Sequence, residues 1–299
     1  MALKHVPGLT YPETAVSVPK VYYEDHENRV MLMSDVGTTS TTLKALFQAT
    51  PPTIDVSRII GKSLGAFLAR LHKATFASDS SGSTIKKLFD ANQIARRVAS
   101  QVTYGRIIST VAPENNERSL IEPPLTLSST ELNALASLAT SMQNRILTSH
   151  EVLAMGDFWP GNIMVSFTSE LHIDVIDWEI SRPGLSGVDI GQFLAEMYTL
   201  SIFYPPSQAS VDAVVTSFLV TYRDIALQGR TTLEEGSLDI AWVAATHFGA
   251  HLVTWTPRVP WGSKEHTREV VLEGLDYLLR VAARDEAWLK TSIVQSLLL

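Results

Sequence analysis

The pattern of apolar and polar positions changes its period along the chain, and the changes separate strands from helices. Near the start, two short apolar runs at about 20–24 and 29–33 flank a polar turn, which predicts a β-hairpin. From about 55 to 75, apolar residues recur at intervals of three and four, which predicts a helix. The same helical period fills most of the chain after Gly187, at about 188–203, 209–228, 234–256 and 265–285.

The middle of the chain is more varied. A second helix is predicted at about 84–99, and the prolines within 101–128 make part of that segment a loop. The segment Ser128–Glu131 has the capping-box pattern that opens a helix running to about Thr148. Short apolar runs then predict strands at about 151–155, 163–166 and 171–176. This order of elements predicts an α+β architecture with segregated strands.

Composition and charge narrow the functional classes. The chain has 299 residues, 45% of them hydrophobic and 18% charged, which is enough to bury a sizeable core. Its net charge of -7 argues against non-specific binding to nucleic acid or to an anionic membrane. The absence of cysteine excludes disulfides, thiolate metal sites and a cysteine nucleophile. No apolar run approaches the roughly 20 residues of a membrane span, so we expect a cytoplasmic protein with no membrane partner.

One constellation of polar residues has the spacing that phosphoryl transfer requires. Asp157 and Asn162 are five positions apart in the loop between two predicted strands, and Asp177 follows the next strand. Phosphoryl transfer from ATP needs a carboxylate that accepts the proton of the attacking hydroxyl and oxygen ligands that hold Mg²⁺ against the phosphates. A β-loop-β unit would bring the three side chains to one edge, where they could supply both.

The Asp–Asn pair has a simpler interpretation, and a pair of histidines offers a different candidate site. An Asp and an Asn in a turn between strands can be simple turn chemistry, and the bare spacing is weak evidence. His247 and His251 lie four apart on a predicted helix and could bind a metal, but Phe248 stands where a zinc protease needs Glu. We therefore favour core or cleft-lining roles for both histidines.

The residues that flank Asp157, Asn162 and Asp177 add a resemblance to a known family. Gly156–Asn162 followed by Ile176–Glu179 resembles the phosphotransferase enzyme family of aminoglycoside phosphotransferases and choline kinases, and its fungal branch most of all. Further segments are similar to the family's hinge, to the helix before its catalytic loop, to an aspartate that braces that loop, and to a C-terminal helix of the fungal members. These are Met31–Gly37, Leu64–His72, Asp189 and His247–His251.

The resemblance implies a protein-kinase-like fold of two lobes. Residues 1–37 would form a truncated N-terminal β lobe with the hairpin and the hinge. Residues 38–299 would form a large helical C-terminal lobe that carries the catalytic loop. The resemblance also implies ATP and Mg²⁺ as cofactors and a small molecule with a hydroxyl group as the phosphate acceptor.

Residue roles follow from the same resemblance. Asp157 would be the catalytic base, Asn162 and Asp177 would hold Mg²⁺, and Glu179 could assist the metal. The nucleotide-binding residues would be Lys4, Ser34, Asp35 and Val36. Lys4 would lie at the end of the strand that carries the phosphate-binding lysine, and the other three would lie in the adenine-binding hinge.

Three departures from the family pattern bear on activity. Met155 stands where the family usually has a histidine, only three residues precede Lys4, and the segment from Lys4 to Pro19 has Glu13 as its one acid. A Gly-rich loop and a paired glutamate helix are therefore not expected, and we expect weak nucleotide binding and slow turnover. Two functions stay open: an ATP-dependent small-molecule O-phosphotransferase and a catalytically inactive kinase-like binding protein. A partner chain that completes the lobe is a third, weaker option, and the oligomeric state is open.

Overall fold

The strands form one small sheet and two separate pairs. The computed structural model describes residues 2–6, 16–76, 87–90, 92–113, 118–167, 170–228 and 233–298. Its strands are β1 (Val16–Ser17), β2 (Val21–Asp25), β3 (Val30–Met33), β4 (Thr41–Thr42), β5 (Val152–Ala154), β6 (Ile163–Phe167), β7 (Leu171–Val175) and β8 (Arg182–Gly184). The sheet has the order β1-β7-β6-β4, while β2 pairs with β3 and β5 pairs with β8. The strands predicted near 20–33 and 151–176 are confirmed.

Helices make up most of the rest of the described chain. They are α1 (Ala2–His5), α2 (Leu43–Ala49), α3 (Ile54–Phe76), α4 (Gln93–Thr103), α5 (Ile107–Val111), α6 (Ser129–Thr148), α7 (Ser186–Phe203), α8 (Gln208–Ala226), α9 (Leu233–Trp255), α10 (Lys264–Ala282) and α11 (Glu286–Leu289). Ser128 and Glu131 form the capping box that the sequence predicts at the start of α6. No helix in the described part of the chain is long and apolar enough to cross a bilayer.

One sequence prediction is wrong in the region between α3 and α6. The predicted helix at 84–99 does not run through, because the side chain of Asn92 accepts a hydrogen bond from the Ala95 amide and starts α4 at Gln93. Residues 77–86 and 91 lie outside the described part. The prediction that the prolines make part of 101–128 a loop is confirmed, since 118–128 contains no helix or strand. The first part of that segment is helical: a 3₁₀ turn at Tyr104–Arg106 is followed by α5, whose apolar side chains pack in a second core cluster.

The β2–β3 hairpin stands apart from the larger sheet. Tyr22, Tyr23 and Leu32 are each more than half exposed. Lys4 makes an ion pair with Glu24 of β2, which ties the N-terminal turn to the hairpin. The expectation that Lys4 ends a strand is wrong, because Ala2–His5 is one helical turn. The acidic partner of Lys4 therefore comes from β2.

Helices α7 and α9 form the centre of the helical region. Every side chain from Ile240 to Thr254 in α9 is buried, and so are nearly all of those in α7. A helix that is apolar on all sides belongs in the interior, and its few polar side chains there need partners. The two helices thus bring Gln192, Glu196 and His251 into the protein interior beside the strand loops.

Glycines set the distance between α3 and α8. A Cβ atom on Gly61 would lie 2.3 Å from the carbonyl oxygen of Val214, and one on Gly65 would lie 2.4 Å from that of Phe218. Both values are shorter than any real Cβ contact, and the obstacle is backbone that cannot rotate away. The close approach of α3 to α8 therefore requires glycine, which has no Cβ atom, at these two positions.

We expect Gly65→Ala to lower the free energy of unfolding by about 1–3 kcal/mol, the usual cost of overpacking. On an open helix face the same change would raise stability by roughly 0.5–1 kcal/mol, because glycine is the poorer helix former. Urea denaturation measures the difference. Lys62→Ala, at an exposed position on the same helix, is the control and should change stability by less than about 0.5 kcal/mol. A stabilised Gly65→Ala would contradict the packing.

Candidate active site

The buried carboxylate of Asp189 fixes the loop between β5 and β6. Asp189, in the first turn of α7, accepts hydrogen bonds from the amides of Met155 (2.8 Å) and Gly156 (2.8 Å). Gly156 has φ +88, and a Cβ there would lie 2.1 Å from Nη1 of Arg182. No side chain fits that position, so the turn into Asp157 requires glycine. The prediction that Asp189 braces the loop is confirmed.

A histidine from α3 completes this support. His72 Nε2 lies 3.1 Å from Oδ2 of Asp189, and His72 Nδ1 lies 2.8 Å from the Tyr222 hydroxyl. His72 and Asp189 are both buried, which strengthens their hydrogen bond relative to one in water. Met155 contributes only its backbone amide here, and its side chain packs in the main hydrophobic core.

Asp157 is held by two amide side chains. Asn162 Nδ2 donates to Oδ2 at 2.8 Å, and Gln192 Nε2 donates to Oδ1 at 2.7 Å. Burial raises the pKa of Asp157 above its usual value, and the negative charge of Asp177 acts in the same direction. The two donated hydrogen bonds oppose the rise in pKa. The result is an oriented carboxylate with more basic character than an exposed aspartate.

The β6–β7 hairpin brings Asn162 and Asp177 to the same end of the sheet. Ile163 pairs with Val175, and the next step of the ladder is a hydrogen bond of 2.9 Å from the Ile176 amide to the Asn162 carbonyl. Asp177 follows directly with φ 62, a left-handed conformation that costs most residues energy and is concentrated at functional sites. Asp157, Asn162 and Asp177 therefore lie together at one edge, as the sequence predicts.

The oxygen donors at this edge suit a hard divalent cation. The amide nitrogen of Asn162 faces Asp157, and the carboxylate of Asp177 is exposed at the same edge. Among the described residues there is no group of three or more His, Asp or Glu side chains that would bind a metal unaided. Mg²⁺ is usually bound through one or two carboxylates together with phosphate oxygens, so this donor set fits Mg²⁺ and a nucleotide.

The other predicted site residues lie around this edge or in the hinge. Glu179 is exposed in the turn after Asp177, and its metal role stays a prediction. Ser34 closes the hairpin through its amide, which donates to the Lys20 carbonyl at 2.8 Å. The carboxylate of Asp35 accepts from the Gly37 amide, and the carbonyl of Val36 accepts from the Ser40 hydroxyl. Nucleotide binding by Lys4, Ser34, Asp35 and Val36 stays a prediction.

Sequence reasoning missed the polar residues that α7 and α9 contribute. Gln192 binds Asp157, and one turn later Glu196 Oε1 lies 2.9 Å from His251 Nε2. The signal was present, since Asp189, Gln192 and Glu196 recur at helical spacing within an otherwise apolar helix. His247 instead lies 2.9 Å from the Tyr104 hydroxyl, and burial lowers its pKa well below the usual value.

We expect Gln192→Leu to raise the pKa of Asp157 further, because it removes a hydrogen bond to the ionised carboxylate. Asp177→Asn should lower the same pKa, because it removes a nearby negative charge. Titration of the aspartate carboxyl carbons by ¹³C NMR, with the signal assigned through Asp157→Asn, measures both shifts. Gln208→Leu, at an exposed position of α8, is the matched control and should leave the pKa of Asp157 unchanged. An unaltered pKa in Gln192→Leu would refute the contact.

Comparison with known proteins agrees with this geometry. The chain is 29% identical over 265 residues to 4-hydroxytryptamine kinase of Psilocybe cubensis, covering 87% of this chain and 66% of that protein. It is 27% identical over 266 residues to methylthioribose kinase of Bacillus velezensis, covering 85% and 63%. The chain thus spans less than two thirds of the length of these relatives.

A solved structure and a family model also match this chain. The crystal structure of choline kinase from Cryptosporidium parvum Iowa II superposes with a TM-score of 0.50 at 14% identity, covering 91% of this chain and 77% of that one. The protein-kinase-like fold predicted from the sequence is confirmed. The model of the phosphotransferase enzyme family matches residues 8–223, a span that includes the β2–β3 hairpin, the β5–β6 loop and Asp189. The chain belongs to the phosphotransferase enzyme family.

Proposed function

We propose that this chain is an ATP-dependent O-phosphotransferase that transfers a phosphoryl group to a hydroxyl of a small molecule. The observation that carries the proposal is the meeting of Asp157, Asn162 and Asp177 at one edge of the β6–β7 hairpin. The two curated relatives described above are both named as kinases of small molecules, which supports the same class of acceptor.

Asp157 would act as the base toward the acceptor hydroxyl. As the hydroxyl oxygen attacks the phosphorus atom, its proton would pass to the Asp157 carboxylate. Hydrogen bonds from Asn162 and Gln192 fix the orientation of that carboxylate before the acceptor arrives, and such positioning accounts for much of phosphoryl-transfer catalysis. The raised pKa of Asp157 makes the carboxylate a better proton acceptor at neutral pH than an exposed aspartate.

Asn162 and Asp177 would hold Mg²⁺, and Glu179 would add a carboxylate beside them. The bound cation would bridge phosphate oxygens and offset the negative charge that collects on them during transfer. Ser34, Asp35 and Val36 would receive the adenine, and Lys4 would approach the phosphates. The pair that Lys4 makes with Glu24 keeps its ammonium group close to the hairpin.

The alternative of a catalytically inactive binding protein has no observation in its favour. Its motivation was the replacement at Met155 together with the expected absence of a Gly-rich loop and of a paired glutamate helix. However, the amide of Met155 still binds Asp189, and Lys4 still has an acidic partner in Glu24. Asp157 is partly buried and accepts two hydrogen bonds, and Asp177 nearby has a left-handed backbone. Such strain is concentrated at functional sites, which supports the active enzyme. We therefore propose the active phosphotransferase alone.

We expect the protein to phosphorylate at least one member of a panel of hydroxylated molecules in the presence of Mg-ATP. The panel would contain amino sugars, choline analogues, 4-hydroxytryptamine and methylthioribose. Mass spectrometry of the phosphorylated acceptor is the measurement, because release of ADP alone can come from hydrolysis. Asp157→Asn should lower the rate by about 10²–10⁴-fold, the usual contribution of a general base.

The matched control is Asp212→Asn, which removes an exposed carboxylate from α8 and should keep full activity. Asp177→Asn should remove the stabilisation by Mg-ATP that a thermal shift of the unaltered protein shows. Unchanged phosphate transfer in Asp157→Asn would rule out this residue as the base.

A further inference from the structure

A cleft of about 320 Å³ lies between α6, α9 and the end of α10, and we call it the α6–α10 cleft. Six of its lining residues recur along one face of α6, from Ala134 to Arg145. Trp242 and Thr246 of α9 are buried and form its floor, and Arg284 lies in the turn after α10. None of the residues of the candidate active site lines this cleft. Binding sites for small molecules begin at about 300 Å³, so the cleft has room for a small organic ligand.

The charge of the α6–α10 cleft is opposite to that of the whole protein. Its charged lining residues are Arg145 and Arg284, and no described aspartate or glutamate lines it, although the chain has a net charge of -7. Arg145 pairs at 3.1 Å with Asp239, which does not line the cleft. Leu138 and Met142 add apolar surface. An apolar lining with few charged groups is typical of a site for a small organic molecule.

Arg284 has a backbone conformation that arginine does not favour. It follows α10 with φ 55, at the position where a helix commonly ends in glycine. The Arg284 amide donates to the Val281 carbonyl at 3.0 Å, and the Asp285 amide donates to the Arg280 carbonyl at 3.1 Å. These two hydrogen bonds are the Schellman motif, which glycine forms at a lower conformational cost. The end of α10 therefore does not explain why an arginine stands here.

The side chain of Arg284 has a defined place at the cleft. Its Cζ lies 5.4 Å from the centroid of the Trp242 ring, a contact between a cation and the face of an indole. Arg284 is exposed, and the described part of the chain places no carboxylate within ion-pair distance of it. A guanidinium group that stacks on an indole ring can still donate two parallel hydrogen bonds from its edge. Such an edge matches the two oxygens of a carboxylate.

We propose that the α6–α10 cleft binds a small carboxylate with a flat apolar body. The carboxylate would pair with Arg284, and the apolar body would lie along Leu138 and Met142. Because Arg145 already pairs with Asp239, one guanidinium is left without a counter-charge, which matches a ligand with a single negative charge. The proposal does not depend on phosphoryl transfer, since the cleft and the candidate active site share no residue.

Benzoate is a suitable probe, because it has one carboxylate and a flat apolar ring. In protein with ¹⁵N-labelled tryptophan, the indole N–H signal of Trp242 is assigned by Trp242→Phe. Benzoate should shift this signal saturably. The neutral isostere benzamide should bind at least tenfold more weakly, because it cannot accept charge-assisted hydrogen bonds from Arg284. An unshifted Trp242 signal, or equal affinity for benzamide and benzoate, would overturn the proposal.

Variants separate binding at the cleft from the stability of the fold. Arg284→Gly should weaken benzoate binding at least tenfold and leave Tm unchanged or higher, because this backbone favours glycine. Arg97→Ala removes the same charge from an exposed position of α4 and should bind benzoate as the unaltered protein does. Ser141→Phe, at an exposed position of α6 in the cleft, should block binding without a change of charge. Undiminished benzoate binding by Arg284→Gly would contradict the proposal, whether or not phosphate transfer is found.

Discussion

The hydrogen bonds of Asp189 are the constraint on which the rest of the site depends. One carboxylate at the start of α7 accepts from two consecutive loop amides and meets His72 of α3. It joins the helical core to the loop that carries Asp157, and Gly156 makes the turn tight enough for both amides to reach it. This buried anchor positions the loop in which Asp157 accepts hydrogen bonds from Asn162 and Gln192.

Much of this arrangement could be predicted from the sequence. Helix α3 has an apolar stripe at helical spacing, α7 and α9 are long and apolar on nearly all sides, and the β6–β7 hairpin has short apolar runs bounded by turns. The spacing of Asp157, Asn162 and Asp177 predicted that the three residues meet at one edge, because a β-loop-β unit allows few other geometries. The strand at Lys4 and the helix at 84–99 were predicted wrongly, because short segments are decided by local caps and ion pairs such as those of Asn92 and Glu24.

The surroundings of Glu196 could not be predicted in the same way. Lys44, Trp159, Glu196 and Trp261 come from four separate segments, and no local pattern states that they meet. Only the polar spacing within α7 pointed to buried chemistry. The tertiary packing of α2 against the catalytic loop brings a lysine to a carboxylate that would otherwise be buried without a counter-charge. Helix α7 thus carries both Gln192, which binds Asp157, and Glu196, which pairs with Lys44.

The central claim is that Asp157, Asn162 and Asp177 form a single metal and phosphate site. Paramagnetic broadening by Mn²⁺ together with ATP tests it most directly, because broadening falls steeply with distance from the bound ion. We expect the carboxyl ¹³C signals of Asp177 and Asp157 to broaden at low Mn²⁺, with the exposed Asp212 unaffected. Signals of Asp157 and Asp177 that stay as sharp as that of Asp212 would contradict the account.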